Sequence, residues 1–335
     1  MITTLTATTT DRIVSELLAV EGGSGSSRVL TLVISTDAVG LEEALEAAHG
    51  ASRDHPCRVI AVVAPPGRED ASGPRSRDGH VSAELPGHLD AEIRVGHDAG
   101  AGETLVLRPW GEAAEHTDTL VVPFLLPDVP VVTWWPTTMP SCPAQDPLGQ
   151  LAGTRITNTP AQPDPVAALA ALAPGYTRGD IDLAWTRMTL WRAIVAATLG
   201  PVLRDHQVSR VAVAGEPSNA SMALMIRWLH LQASVEVERV DVPGFSGISQ
   251  VAAHTEAGTY LIERADQERV RITRPDGSAP QIVTMPRREP VTTMNEELRR
   301  LTPDLVFEEV LVAFAADHGC HCLGQETAQA SQASQ

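Results

Sequence analysis

The stretch DIDLAWTRMTLWRAIVAATL, residues 180–199, guides the interpretation of this 335-residue chain. Its apolar residues recur every three or four positions, which predicts one amphipathic helix of about five turns. Asp180 is the expected N-cap, because its carboxylate can accept hydrogen bonds from the free N–H groups of the first turn. Gly200 and Pro201 are expected to end the helix. The predicted buried face consists of Leu183, Ala184, Met188, Leu190, Trp191, Ile194 and Val195.

Charged and aromatic side chains on this helix are candidates for function. Arg187 projects into the apolar face, where an unpaired charge is very costly, so we predict that it belongs to a structural ion pair. Trp185, Thr189 and Arg192 follow one another at i, i+4 and i+7 along one edge. Because Trp and Arg are enriched in interface hot spots, we predict that this edge binds a partner. The alternative is an ordinary core helix with amphipathic edges.

A family resemblance rests on the same stretch. Residues 182–192 resemble the DLAWTR-x-T-x-WR signature of the OpcA family, the glucose-6-phosphate dehydrogenase assembly proteins. The run PVVTWWP at 130–136 and the strand VAVAG at 211–215 also fit this family, and the resemblance extends over about residues 28–319. It implies a non-catalytic assembly factor and allosteric activator. Such a protein binds glucose-6-phosphate dehydrogenase and supports its active oligomer in the oxidative pentose phosphate pathway.

Composition limits the classes of partner. The formal net charge is −17, and all of the 25 basic residues are arginine. This balance argues against binding to nucleic acid or to an anionic membrane surface. Without lysine the chain has no Schiff-base chemistry. The N-terminus lacks the pattern of a secretory signal, and no apolar run reaches the roughly 18–20 residues that span a bilayer. We therefore expect a cytoplasmic protein.

The order of predicted elements indicates an α/β fold with two domains. Buried strands at 28–35 and 57–64 flank a helix at 41–49, which predicts a parallel pair in an open, doubly wound-like sheet. A further buried strand is predicted at 119–126. From residue 250 onward, short strands joined by turns predict an antiparallel region. The predicted divisions are a flexible segment at 1–27, an α/β domain at 28–160, an α/β (α+β) domain at 161–322 and a disordered tail at 323–335.

Two adjacent tryptophans, Trp134 and Trp135, end a short apolar strand. Neighbouring side chains on a strand point to opposite faces, so at most one of the two can enter a given core. We predict Trp134 as a further partner-binding residue. The alternative for this pair is packing between the two domains.

A phosphate site is the main alternative function. The turn Gly215–Ser221 follows a strand and opens a helix, where free N–H groups and the hydroxyls of Ser218 and Ser221 can hold a phosphate. This pattern would fit a sugar-phosphate-binding enzyme, although Ser218 is also an ordinary N-cap. A dinucleotide site is not predicted, because the glycine-rich segment GGSG precedes the first strand instead of following it.

Cysteine and histidine cluster near the C-terminus in DHGCHC, residues 317–322. Cys320 and Cys322 are a possible redox pair. A zinc site is not predicted, because the sequence has no second Cys/His pair to complete the tetrahedron. The sequence shows no nucleophile motif, so we expect no catalytic residues and no cofactor.

Overall fold

The computed structural model describes residues 1–21, 28–65, 87–99 and 102–317. The chain divides into two compact units. Unit 1 contains Met1–Thr157 and Pro290–Pro303, and unit 2 contains Asn158–Glu289 and the chain from Asp304 onward. Within the described residues no helix is both long enough and apolar enough to cross a membrane.

Unit 1 is built on a largely parallel sheet. Its described strands lie in the order β1-β4-β5-β3-β2-β6-β7. The run from β5 to β7 is parallel, whereas β1 and β4 pair antiparallel at one edge. The strands are β1 Ile2–Thr8, β2 Leu30–Thr36, β3 Cys57–Val63, β4 His88–Val95, β5 Glu103–Trp110, β6 Val131–Trp134 and β7 Thr154–Thr157.

The centre of this sheet follows from its continuous apolar sequences. All of β3 and nearly all of β2 are buried, as expected for parallel strands covered on both faces. Side chains such as Val33 and Ile60 share a core with Ile13 of helix α1, Thr10–Glu21. Helix α2, Leu41–Ser52, connects β2 to β3. The predicted α/β fold class is confirmed.

Two predictions for this unit were wrong. Residues 2–8, in the segment expected to be flexible, form β1, because the threonine-rich run favours a strand and Leu5 is buried on pairing with β4. The strand expected at 119–126 is helical: α3 spans Thr117–Val121 and a 3-10 turn spans Val122–Phe124. Pro123 suits the first turn of a helical segment, and the turn buries Phe124 completely.

The remaining helices of unit 1 are α4, Pro147–Gln150, and α9, Pro290–Arg299. The sequence assigned residues 290–303 to the second domain, but α9 packs against α2. The contact is close: a Cβ on Gly50 would lie 2.5 Å from Val291. Helix α9 therefore depends on a glycine far away in the sequence, which no local pattern reveals.

Unit 2 has a second, mixed sheet. Its described strands lie in the order β10-β9-β11-β12-β13-β14, with β10 and β9 parallel and all later pairs antiparallel. These strands are β9 Val208–Gly215, β10 Val237–Asp241, β11 Ile248–Thr255, β12 Gly258–Arg264, β13 Arg269–Thr273 and β14 Gln281–Thr284. A short strand β8, Asp180–Asp182, precedes the helices. They are α5 Pro165–Leu172, α6 Leu183–Arg187, α7 Thr189–Asp205, α8 Ala220–Ala233 and α10 Leu305–Asp317.

Candidate functional site

The DLAWTR stretch is two helices rather than one. Asp182, not Asp180, is the N-cap of α6. Its buried carboxylate accepts hydrogen bonds from Ala184 N at 2.8 Å, Thr159 Oγ1 at 2.6 Å and Thr159 N at 2.9 Å. Charge-assisted bonds of this length are strong, so Asp182 fixes where α6 begins. Asp180 instead lies in the short strand β8.

The helix is interrupted at Met188, between α6 and α7. Its backbone has φ −94° and ψ 7°, outside the helical values, and α7 starts at the next residue. Helix α7 also continues through Gly200 and Pro201 to Asp205, so the predicted stop was wrong. Pro201 removes one helical hydrogen bond, but the extra turn buries Val202. Burial of an apolar side chain offsets that loss.

The break turns Trp185 inward. Its side chain is only 1% exposed, its ring centre lies 5.6 Å from that of Phe307, and its Nε1 donates a hydrogen bond to Asp304 Oδ2 at 2.8 Å. Trp185 is therefore not exposed on the surface, and its role in partner binding stays a prediction. A straight helix would have carried Trp185 on an open edge, whereas the separate α6 packs it against α10.

Arg192 nevertheless lies beside Trp185, as the sequence spacing indicated. Its guanidinium carbon is 3.7 Å from the centre of the indole ring. Arg192 Nη2 also donates to Thr189 Oγ1 at 3.3 Å. The three predicted residues therefore form one cluster, in which a cation–π stack holds a half-buried arginine against a fixed ring.

Arg187 lies on the other side of the junction. It lines a cavity of about 280 Å³ together with Trp191 of α7 and three further arginines, Arg264, Arg287 and Arg288, among the described residues. The same cavity is lined by Asn219, Ser221, Ser246 and Glu289. The structural ion pair of Arg187 stays a prediction, but its position in an arginine-rich cavity was not predicted.

The turn before α8 is arranged differently from the prediction. The N-cap is Asn219, whose Oδ1 accepts from Met222 N at 2.8 Å, whereas Ser218 is exposed. Ser221 is buried and donates its hydroxyl to Ala184 O at 2.6 Å. A phosphate bound by Ser221 would have to replace that hydrogen bond. The hydroxyl thus ties α8 to α6, and the role of this turn as a phosphate cradle stays a prediction.

The tryptophan pair in unit 1 is also buried. Trp134 is 3% exposed and Trp135 is 2% exposed, so the strand sends one ring to each buried side of the sheet. Trp134 is therefore not exposed on the surface, and its role in partner binding stays a prediction. Trp135 lines a crevice of about 400 Å³ beyond the carboxyl ends of β2 and β6, together with Asp37 and Asp146.

This crevice lies where the strand order reverses, the usual ligand position of open α/β sheets. In dinucleotide-binding folds the first turn presents N–H groups to a pyrophosphate. Here the Asp37 carboxylate accepts hydrogen bonds from Val39 N at 2.8 Å and Gly40 N at 2.7 Å. A negative side chain thus occupies the N–H groups of the turn between β2 and α2.

The two cysteines in the described part of the chain, Cys57 and Cys142, are free. Cys320 and Cys322 lie outside the described residues, so their pairing stays a prediction. Cys57 is buried, and burial raises the pKa of its thiol to about 12, which keeps it protonated. Within the described ranges no group of three or more His, Cys, Asp or Glu side chains is arranged to hold a metal ion.

These features define a two-unit α/β protein that carries an arginine-stacked helix junction and no dinucleotide-binding turn after β2. Two protein-family models match the chain, and they are described as the N-terminal domain and the C-terminal domain of a glucose-6-phosphate dehydrogenase subunit. The first matches residues 48–174 and the second matches residues 178–311. The chain belongs to the OpcA family, and the family predicted from the sequence is confirmed. A search of curated proteins found no match.

Solved structures of oxidoreductases are weakly similar to this chain. An oxidoreductase from Sinorhizobium meliloti shares 11% identity, with a TM-score of 0.47 over 88% of this chain and 97% of that one. A levoglucosan dehydrogenase in complex with NADH and L-sorbose shares 10% identity, with a TM-score of 0.39 over 90% of this chain and 94% of that one. Likenesses at this level carry no argument about activity.

Sequence reasoning missed several residues of the junction. Asp304 accepts from Val306 N and Phe307 N at the start of α10, in addition to holding Trp185. An aspartate directly before an apolar helix is a recognisable N-cap signal, so this residue could have been found. Arg264 and Arg287 carry no such signal, because they enter the cavity only through the pairing and turns of the second sheet.

Proposed function

We propose that this chain is a non-catalytic partner of glucose-6-phosphate dehydrogenase that binds the enzyme in the cytoplasm and supports its active oligomer. Support comes from the family models, which match parts of both units and are described as domains of a glucose-6-phosphate dehydrogenase subunit. A subunit of this kind would accompany the enzyme.

The occupied turn after β2 is the observation that carries the non-catalytic part of the proposal. Asp37 takes the N–H groups of Val39 and Gly40. A dehydrogenase built on such a sheet would offer these groups to the cofactor pyrophosphate. A carboxylate in that position repels phosphate, so this unit serves better as a scaffold than as a nucleotide-binding domain.

Activation would proceed by differential binding. A partner can shift an equilibrium between oligomeric states of the enzyme only by the difference between its affinities for those states. The net charge of −17 would also speed association with a basic surface on the enzyme. The proposal therefore places the effect in the assembly equilibrium of the enzyme and not in the reaction itself.

Arg192 is the contact residue that the geometry favours. Its guanidinium carbon lies 3.7 Å from the centre of the Trp185 ring and the guanidinium donates to Thr189, yet the residue is only half-buried. A pre-organised arginine loses less side-chain entropy on binding a carboxylate of the partner. Trp185 then acts as the fixed support of this contact.

A binding measurement with Arg192→Ala tests the proposal. The full chain is titrated against the same organism's glucose-6-phosphate dehydrogenase by biolayer interferometry. We expect the dissociation constant to rise by roughly tenfold or more, as for an interface arginine that costs more than about 1.4 kcal/mol. Arg204→Ala is the matched control, since Arg204 is exposed in the last turn of the same helix. Absence of binding by the wild-type chain would reject the proposed function, whereas equal affinity of both variants would reject only this contact.

A further inference from the structure

The cavity beside the α6–α7 junction concentrates positive charge in an acidic protein. Its described lining contains Arg187, Arg264, Arg287 and Arg288, against the carboxylate of Glu289. The chain as a whole carries a formal charge of −17. Like charges that are brought together repel one another. A cluster of guanidinium groups in such an acidic protein therefore indicates a local role.

Arg264 and Arg287 are held in place by backbone carbonyls. Arg264 Nη1 donates to Met285 O, and Arg287 Nη2 donates to Ser246 O at 3.0 Å. Neither forms an ion pair with a carboxylate in the part of the chain that the structure describes. A guanidinium has five N–H donors, so both keep donors that are not directed at described protein atoms.

The positive charge of Arg287 acts on Arg264. Burial, and then the charge of Arg287, lower the pKa of Arg264, with Asp266 and Glu268 acting in the opposite direction. Arg264 is half-buried and its guanidinium carbon lies 5.5 Å from the centre of the Trp191 ring. Two neighbouring cations that form no direct ion pair with a described carboxylate make a site that an anion would stabilise.

We propose that this cavity binds a small phosphomonoester of the sugar monophosphate class. Arginine forks match phosphate oxygens in geometry, and a dianion compensates paired guanidiniums better than a monocarboxylate does. Asn219 and Ser246 supply neutral polar groups at the wall for hydroxyls of the ligand. The volume of about 280 Å³ lies just below the usual range of ligand pockets, which begins at about 300 Å³, so the cavity suits a small metabolite.

This site differs from a phosphate cradle at the Gly215–Ser221 turn. The phosphoryl group is assigned to Arg264 and Arg287, whereas the Ser221 hydroxyl remains bonded to Ala184. The assignment does not rest on the proposed function, since it concerns binding by this chain alone. Failure of one therefore leaves the other intact.

Isothermal titration of the full chain tests the assignment, with glucose 6-phosphate, inorganic phosphate and glucose as probes. We expect saturable binding of glucose 6-phosphate, weaker binding of phosphate and no binding of glucose. Arg264→Gln and Arg287→Gln should each weaken binding about tenfold or more, the usual effect of losing a charged hydrogen bond. Arg274→Gln, in the same unit but lining a different cavity, should stay within about twofold of the wild type.

Folding is checked in the same samples. A bound ligand stabilises the native state by mass action, so glucose 6-phosphate should raise the melting temperature of the wild type and of Arg274→Gln. It should raise that of Arg264→Gln and Arg287→Gln less, provided that each unliganded variant still melts cooperatively. Two results would overturn the assignment: no saturable binding of either phosphate by the wild type with a Kd below about 1 mM, or unchanged binding by a folded double variant at Arg264 and Arg287.

Discussion

The crevice of unit 1 and the cavity of unit 2 have opposite charges. The crevice, at the carboxyl ends of β2 and β6, carries the carboxylates of Asp37 and Asp146. The cavity beside the α6–α7 junction is lined with arginine. The fold of unit 1 would suggest phosphate binding in the crevice, but the side chains favour phosphate binding in the cavity.

The carboxylates of unit 1 satisfy their own backbone. Asp37 accepts from the turn before α2, and Asp146 accepts from Leu148 N and Gly149 N at the start of α4. Burial raises the pKa of Asp146 despite those two hydrogen bonds. Sheet topology therefore locates a crevice, while the residues in it decide whether an anion can bind.

The largest expected effect is a loss of stability in unit 2, at the helix junction beside the arginine cavity. Asp182→Ala should lower the free energy of unfolding by about 3 kcal/mol or more, because it leaves buried donors of Thr159 and Ala184 without their acceptor. It should also weaken glucose 6-phosphate binding, since the α6–α7 junction supplies Arg187 to the cavity. Urea unfolding followed by tryptophan fluorescence measures the stability.

Asp182→Asn is the control for that substitution. The amide keeps an oxygen that can accept from Ala184 N or Thr159 N, so the loss should be clearly smaller than for alanine. Equal and small losses in both variants would show that Asp182 does not hold the junction.

A smaller loss of stability is expected in unit 1, at the turn beside the crevice. Asp37→Ala should lower the free energy of unfolding by about 1 kcal/mol, because the N–H groups of Val39 and Gly40 lose their acceptor. Glu46→Ala, at an exposed position of α2, should change it by less than about 0.5 kcal/mol. Urea titration of the two variants side by side gives the difference. A neutral result for Asp37→Ala would mean that its carboxylate does not close the turn.

The smallest effect separates the two possible phosphate positions. Ser218 is exposed and does not line the arginine cavity. We expect Ser218→Ala to bind glucose 6-phosphate within about twofold of the wild type by calorimetry, as is usual for a surface substitution. A loss of affinity of tenfold or more would indicate that the phosphate binds at the Gly215–Ser221 turn and not in the arginine cavity.

Local sequence was sufficient where burial and element type agree. The ends of β2 and β3 were predicted to within two residues. A continuous apolar run rich in β-branched residues is typical of a buried strand in a parallel sheet. The antiparallel strands β12 and β13 were also predicted, since turn residues flank them.

Tertiary packing decided the elements that the sequence did not predict. The helical pattern of residues 183–199 does not show the break at Met188, because both parts keep an apolar face. The chain turns there because Trp185 contacts two distant residues: it donates to Asp304 and its ring packs beside that of Phe307. The arginine cavity depends likewise on residues that the second sheet brings together from distant positions.

The most direct test of the central claim is the rate of the same organism's glucose-6-phosphate dehydrogenase, measured against glucose 6-phosphate concentration with and without this chain. Size-exclusion chromatography of the mixture is run in parallel. The proposed function predicts co-elution, together with a higher rate or a lower half-saturating concentration. Separate elution with superimposable rate curves would contradict it.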